Sequence, residues 1–371
     1  MEKLWKIKAR GNESDIRKLS ADLGITPSLA NLLVQRDVHS FDEAKAFFRP
    51  TLDQLHDPFL MKDMEKAVTR IEKAMRNKEK IMIYGDYDVD GTTSVALMYS
   101  YLHARYENLD YYIPDRYSEG YGISYKSIDY ANKNDVSLII ALDCGIKAIE
   151  KVKYANQRNI DFIICDHHTP GEFIPDALAV LDPKQSDCPY PFKELSGCGV
   201  GFKLIQAMAQ KNTDSFEHLL PLLDLVVVSI ASDIVPIIGE NRVMAYYGLK
   251  VLNHSPRLGL KTIIEIAGIH KDIKIDDIVF KIGPRINAAG RMESGRKAVE
   301  LLITDDYSLA HERGEKINAF NKQRRNIDHT ITEQALESIA SDPVMRNRRS
   351  TVLFNPSWHK GVVGIVASRI I

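Results

Sequence analysis

The sequence is poor in cysteine. Its 371 residues hold only Cys144, Cys165, Cys188 and Cys198, with no C-x-x-C pair among them. A chain this long does not need disulfide staples, and the four read as reduced thiols. Long apolar runs are missing too: no window reaches the roughly 18 residues that span a bilayer. The N-terminal stretch MEKLWKIKARGNES carries charge but no apolar core of the signal-peptide kind. The expected location is therefore cytoplasmic, with no membrane partner. Nor is there an excess of either charge, since 49 Lys and Arg against 50 Asp and Glu leave a formal −1. A simple basic nucleic-acid binder would be strongly positive. Internal repeats and low-complexity segments are also absent.

What is present is the composition of an ordinary globular protein, 44% hydrophobic and 27% charged. The length suffices for two or three domains. The even charge balance hides a local bias. Basic residues gather late, at Arg285, Arg291, Arg296 and Lys297, then Lys322, Arg324 and Arg325, then Arg346, Arg348 and Arg349. Carboxylates neutralised by divalent metal would leave the working charge more positive than the formal count.

Residues 1–55 read as a small helical cap. From about residue 65 an amphipathic helix, AVTRIEKAMRNKE, leads into the apolar run KIMIYG. A helix over about 94–106, strands at 109–113, 136–142 (VSLIIAL), 161–165 (DFIIC) and 178–182 (LAVLD), and a helix near 146–158 follow. Short buried strands alternating with helices indicate βαβ units: an α/β fold with a mainly parallel sheet and flanking helices. Two further helices are expected near 199–211 and 216–233. The main domain spans 56–305. Residues 306–345 read as a long charged helical linker, a bridge between domains rather than a core helix. Residues 346–371 begin a second α/β unit as strand, loop and helix.

In doubly wound sheets, ligands collect beyond the carboxyl ends of the strands. Here KIMIYG ends in Asp86-Tyr-Asp88-Val-Asp90-Gly, VSLIIAL in Asp143-Cys-Gly, and DFIIC in Asp166-His167-His168. LLDLVVVSIAS leads to Asp233, although that apolar run also suits a helix. One aspartate after one strand is usually a polar loop residue. Aspartates and histidines converging on one edge in such numbers repel, and burial costs several kcal/mol more per charge. No Lys or Arg interrupts these motifs, so divalent metal is the economical compensation. An oxygen-rich set with one or two imidazoles suits Mn²⁺ or Mg²⁺, with Mn²⁺ favoured. Two ions about 4 Å apart would support phosphoryl chemistry. Three rival readings compete with this one. An EF-hand fails, because position twelve from Asp86 is Leu97 where a Glu is required. A haloacid-dehalogenase-type phosphatase has no use for Asp166-His-His. A zinc site on Cys144, Cys165 and His167 is weakened because strand-end cysteines are usually packing residues.

DYDVDGTTS, ALDCG, DHH and SIASDIVP, in that order, resemble the four motifs of the DHH phosphoesterase superfamily. IPDRYSEGYGIS (113–124), FKIGPRINAAGRMESG (280–295) and SWHKGVVGIVASRI (357–370) narrow the resemblance to its RecJ family of single-strand-specific exonucleases. The resemblance implies that Asp88, with Asp86 nearby, serves one metal. Asp90, His167 and Asp233 serve the other, and Asp143 bridges them. It implies that His168 stands beside the scissile phosphate and that Asp166 orients a histidine. Arg285, Asn287 and Arg291 bracket the small residues Ala288-Ala289-Gly290 and suit phosphate oxygens, with an arginine-capped turn between domains as the plainer reading. Arg116 would reach the same groove, and Tyr117 or Tyr121 could stack on a base. His359, Gly361 and Gly364 lie where a loop opens a helix, an anion-binding position that resembles the start of a DHHA1 domain.

The implied activity is Mn²⁺- or Mg²⁺-dependent 5′-to-3′ hydrolysis of single-stranded DNA in repair and recombination. A single-strand-binding protein or a helicase would be the partner. The alternatives are a DHH phosphodiesterase acting on oligoribonucleotides or cyclic dinucleotides, and a scaffold without catalysis. The family pattern continues beyond Ile371, through the rest of DHHA1, with its GGGGH-like motif, and usually an OB-fold.

Overall fold

The computed structural model describes residues 5–342, 348 and 350–370. Arg346 and Arg349 lie outside the described residues. Five parallel strands form one sheet in the order β2-β1-β3-β4-β5: β1 (Lys80–Gly85), β2 (Leu109–Tyr112), β3 (Val136–Leu142), β4 (Asp161–Cys165) and β5 (Ala179–Leu181). The strands are near-continuous apolar runs because both faces are covered. Alternate residues serve opposite faces. Ile81, Ile83, Leu138, Ile140 and Ile163 join the larger core, while Met82, Tyr84, Ile139, Ala141, Phe162 and Ile164 join a second cluster.

The larger face is covered by α4 (Met64–Arg76), α5 (Val89–His103), α8 (Gly197–Lys211) and α9 (Leu223–Ser232). The other face carries α6 (Tyr125–Lys133) and α7 (Ile149–Asn156). Helix α6 is absent from the sequence-based expectation. Its fully buried apolar residues are only Ile128 and Ala131, too few to mark a period. Helix α5 starts five residues earlier than expected, because Asp88 caps it by accepting from the Gly91 N–H at 3.0 Å. The ambiguous run before Asp233 is a helix, α9, buried almost all round, so Asp233 follows a helix end and not a strand.

The N-terminal cap comprises α1 (Glu13–Leu23), α2 (Pro27–Val34) and α3 (Phe41–Phe48) around their own small core of Ile16, Leu19, Ala30, Val34 and Ala44. It is tied to α10 (Gly239–His254), where the Arg242 guanidinium lies 3.6 Å from the centre of the Phe47 ring. After α11 (Leu258–Ile266), a single turn, α12 (Ile275–Asp277), runs through a π turn at Ile278–Ile282 into α13 (Gly283–Met292). Helix α14 (Arg296–Leu302) precedes the 35-residue α15 (Tyr307–Ser341).

Helix α15, about 52 Å long at the usual rise, is only partly the bridge expected from its polarity. Its first half packs on α11, α13 and α14 and buries Ala310 and Ile317 in the main core. Gly314 is where α11 crosses it: a Cβ there would meet Thr262 Cγ2 at 2.6 Å. Its second half joins α16 (Val363–Ile370) through Ile331, Ala335, Val362 and Val366. The strand expected to open the 346–371 unit is not formed among the described residues. Val352 and Phe354 there are exposed, with no neighbouring strand among the described residues to take up their backbone groups. No helix among the described residues is long and apolar enough to cross a membrane.

Candidate metal centre

The chain leaves β1 towards β2 on one side, then returns to place β3, β4 and β5 on the other. That reversal opens a crevice beyond the carboxyl ends of β1 and β3. Asp86 follows β1, Asp143 follows β3, Asp166 follows β4 and Asp182 follows β5. The start of α5 adds Asp88 and Asp90, and the end of α9 adds Asp233.

His167 is the hub. Its Nε2 lies 3.2 Å from Asp143 Oδ1, 3.6 Å from Asp233 Oδ2 and 3.7 Å from Asp90 Oδ2. Two donor sets converge closely enough to share an ion: Asp143, His167 and His168, and Asp90, His167 and Asp233. Asp143 is held in the left-handed region at φ 58°, where a side chain is disfavoured by roughly 1–2 kcal/mol. Strain of this kind concentrates at functional sites. Gly197 is what admits it, because a Cβ at 197 would lie 2.6 Å from Asp143 Cβ and 2.7 Å from Oδ1.

Asp90 is pinned by the start of α8. Its Oδ2 accepts from the Gly197 N–H at 2.7 Å, and its Oδ1 accepts from the Cys198 N–H at 2.8 Å and the Ser229 hydroxyl at 2.7 Å. Asp86 is directed elsewhere. Its two oxygens accept from the Tyr87 and Gly122 N–H groups, and it belongs to neither convergent set.

The electrostatics are those of a site built for cations. Burial, with the neighbouring Asp90 and Asp88, pushes the Asp143 carboxyl well above its ordinary range. Burial and the neighbouring Asp88 likewise lift Asp86 to about 7, and burial with Asp90 and Asp88 lifts Asp233 to about 7. Asp88 is raised mainly by burial. His167 is lowered by burial, so it is neutral and offers a lone pair, the form in which imidazole binds metal. Asp143 Oδ1 and His167 Nδ1 are buried without a hydrogen-bond partner. Repelling carboxylates, a neutral imidazole and an unsatisfied oxygen at the hub fit hard divalent cations.

His168 is arranged differently. Its Nδ1 is 2.7 Å from Asp166 Oδ1, and this hydrogen bond raises its pKa. Its Nε2 lies 3.4 Å from the Tyr121 hydroxyl. Burial works to raise Asp166, but hydrogen bonds from His168 and from the Ile146 and His168 N–H groups outweigh it and hold the carboxyl low. Asp166 thus anchors the His168 ring, favours its protonated form and is not itself a member of either donor set.

The flanking residues divide. Arg116 lies 3.9 Å over the Tyr87 ring and donates to the Gly290 carbonyl. Arg291 donates from Nη1 to the Gly361 carbonyl at 2.9 Å and is near enough to Asp88 to interact with its charge. Asn287 lies one helical turn from Arg291, with no side-chain partner of its own among the described residues. Arg285 instead donates to Asn318 Oδ1 of α15 and to the Lys281 carbonyl. Gly290 is small for the sake of packing: a Cβ there would meet the Tyr87 carbonyl oxygen at 2.4 Å. His359 accepts from the Gly361 N–H and packs edge-on to Tyr117, beside the arginines rather than in the cluster.

Two residues escape the sequence reading. Asp182 ends β5, is raised to about 7 by burial, and has a buried oxygen without a partner. Lys184 is half-buried, and its charge acts on His167, Asp182 and Asp233. Their signal is the same strand-end position that exposes the others, in LDPK.

The profile of the DHH family, N-terminal domain, matches residues 80–230. The single-stranded-DNA-specific exonuclease RecJ of Bacillus subtilis is 39% identical over 368 residues, 99% of this chain and 46% of that protein. Among solved structures, RecJ from Thermus thermophilus in complex with Mn²⁺ superposes with a TM-score of 0.85 at 28% identity, covering 99% of this chain and 52% of that one. An exonuclease RecJ bound to manganese gives 0.77 at 31% identity, covering 86% of this chain and 79% of that one. The chain spans about half the length of the curated relative from Bacillus subtilis.

Proposed function

Because the chain belongs to the RecJ family of DHH phosphoesterases, we propose that it hydrolyses the phosphodiester bonds of single-stranded DNA from the 5′ end with two Mn²⁺ or Mg²⁺ ions. The observation that carries this reading is the convergence of buried Asp143 and Asp90, with the more exposed Asp233, on His167 Nε2, Asp143 Oδ1 being left unsatisfied.

Asp90, His167 and Asp233 are assigned to one ion, Asp88 to the other, and Asp143 to both. Asp86, with both oxygens engaged by backbone N–H groups, shapes the loop that presents Asp88. When bound, the ions supply Lewis-acid polarisation of the phosphoryl oxygen and a more acidic water. The chain's own part is orientation. Gly197 and Ser229 fix Asp90, the left-handed turn fixes Asp143, and Asp166 fixes the ring of His168. A protonated His168 presents Nε2–H to an oxygen of the scissile phosphate, and Arg116 and Arg291 neutralise neighbouring phosphates. Tyr117 and Tyr121, both about half-exposed, offer faces to the bases.

Family membership supports the 5′ polarity, the preference for DNA, a cytoplasmic location and a role in repair and recombination. A helicase that opens ends, or a single-strand-binding protein that coats them, is the assigned partner class.

The test is degradation of end-labelled single-stranded and duplex DNA by this chain in Mn²⁺, with a cyclic dinucleotide as a small-substrate control and Asp143→Ala as the dead variant. Loss of label from the single strand alone is expected. Equal cleavage of duplex, turnover of only the cyclic dinucleotide, or an active Asp143→Ala protein would each reject the proposal.

A further inference from the structure

The N-terminal cap carries an open apolar groove between α2 and α3. Leu29 and Leu32 on α2 and Phe41 and Phe48 on α3 line this cavity of about 670 Å³, and each of the four is about half-exposed. None belongs to the cap's own core of Ile16, Leu19, Ala30, Val34 and Ala44. Their spacing keeps each pair on one face of its helix. Apolar patches rimmed by polar groups mark contact surfaces, and the rim here has one sign. Arg36, Lys45 and Arg49 are the charged residues that line the groove, and no carboxylate lines it. None of the three forms an ion pair among the described residues, whereas elsewhere in the cap Arg10 pairs with Glu13 and His39 with Asp15. Lys8 adds positive charge nearby, its Nζ donating at 2.8 Å to the carbonyl of Gln35, the neighbour of Arg36. Glu43 is occupied instead at the start of α3, where it accepts from the His39 and Ser40 N–H groups.

We propose that this groove docks an acidic amphipathic helix of a partner protein, its apolar side chains on the leucines and phenylalanines and its carboxylates against Arg36, Lys45 and Arg49. The walls are helices whose backbone groups are already paired, so an extended peptide finds no ladder there, whereas a helix brings its own hydrogen bonds. Helices α2 and α3 are 8 residues each, about two turns, which suits anchors one and two turns apart on the guest. Three other occupants fit less well. The chain's own N-terminal apolar residues, Trp5 and Ile7, stand almost fully exposed, and Lys6 and Lys8 beside them repeat the charge of the rim. A two-fold contact between copies sets the cationic rim against itself. A single strand of nucleic acid holds its bases on aromatic faces, and half of the four-residue floor is leucine. The groove is independent of the nuclease reading, since none of its residues belongs to the metal centre or to the arginines around it.

The whole chain is panned with a display library of helical peptides, apolar at the i, i+3 and i+7 positions and randomised among Asp, Glu, Gln, Lys and Arg elsewhere. The enriched peptides should be net acidic. Their affinity, read by fluorescence anisotropy, should fall about tenfold in Leu29→Ser, which removes one apolar anchor at an exposed position. It should also fall as salt rises, because the rim charges face solvent. The double variant Lys45→Glu, Arg49→Glu should lose the acidic peptides and enrich Lys- and Arg-rich ones instead. Should Leu29→Ser fail to fold, Phe48→Ser decides in its place with a loss of similar size. No enrichment, neutral or basic winners on the parent, or binding that both the Leu29 and the charge variants retain would overturn the proposal. Two further results would overturn it by naming another occupant. Self-association of the parent that Leu29→Ser abolishes would place a second copy in the groove, and weaker binding of a labelled single-stranded dodecanucleotide by Leu29→Ser would place nucleic acid there.

Discussion

Replacing Asp233 by Asn should make the metal-free protein more stable while removing its activity. The Asp233 carboxyl sits with Oδ2 at 3.6 Å from His167 Nε2, and burial, with Asp90 and Asp88, lifts it from the usual 3.8 to about 7. A change of that size corresponds to about 4 kcal/mol between the two protonation states. The side chain is 31% exposed, so water screens part of this, and roughly 2 kcal/mol is a fair expectation. The sign follows from linkage. An acid whose folded pKa lies above its unfolded value ionises more readily in the unfolded chain, so its charge destabilises the fold. The penalty is absent below about pH 4, grows as pH rises towards 7, and is fully present above it. In EDTA at pH 8, Asp233→Asn should therefore melt about 3 °C higher than the parent, and at pH 4 the two should coincide. Mn²⁺ should reverse the order, raising the parent's melting point and leaving the variant nearly unmoved. A variant that melts at or below the parent at pH 8 without metal would refute the claim that these carboxylates repel one another across the centre.

Three other substitutions probe the supports of the site. Gly197→Ala should reduce kcat at least a hundredfold, because its methyl falls on Asp143, whereas Gly199→Ala in the same turn should reduce it far less; similar kcat values would discard the close-approach argument. In Asp166→Asn, His168 loses the anion that raises its pKa, so the alkaline limb of the kcat/KM profile should move to lower pH. A profile that stays in place would show that His168 does not act as a protonated donor. Arg291→Ala should weaken single-strand binding and lower the salt slope by about one, and an unchanged slope would remove Arg291 from the phosphate contacts.

The centre is legible in the sequence where its chemistry coincides with a strand end. KIMIYG, VSLIIAL and DFIIC are continuous apolar runs because the sheet is covered on both faces, and each stops at an aspartate that the crevice needs. Legibility fails where periodicity carries no information. The run before Asp233 is apolar at nearly every position, so strand and helix look alike until α9 is seen buried between neighbours. Helix α15 reads as a bridge because its buried face is made largely of Ala, Gly and Asn rather than Leu or Ile. Arg285 resembles Arg291 in its motif, yet the helix between them points one at Asn318 of α15 and the other at the Gly361 carbonyl before α16. The fixing of Asp90 by Gly197, Cys198 and Ser229 is out of reach altogether, since those partners lie 107, 108 and 139 residues away.

Those separations bear on how the protein is made. While a ribosome has released only the first hundred or so residues, the D-x-D-x-D-G segment exists without the helix start that clamps Asp90, and without His167 or Asp233. Such a nascent chain offers ions little more than a loose acidic stretch. High affinity arises only once α8 and α9 have docked, so acquisition of metal reports that the domain is complete.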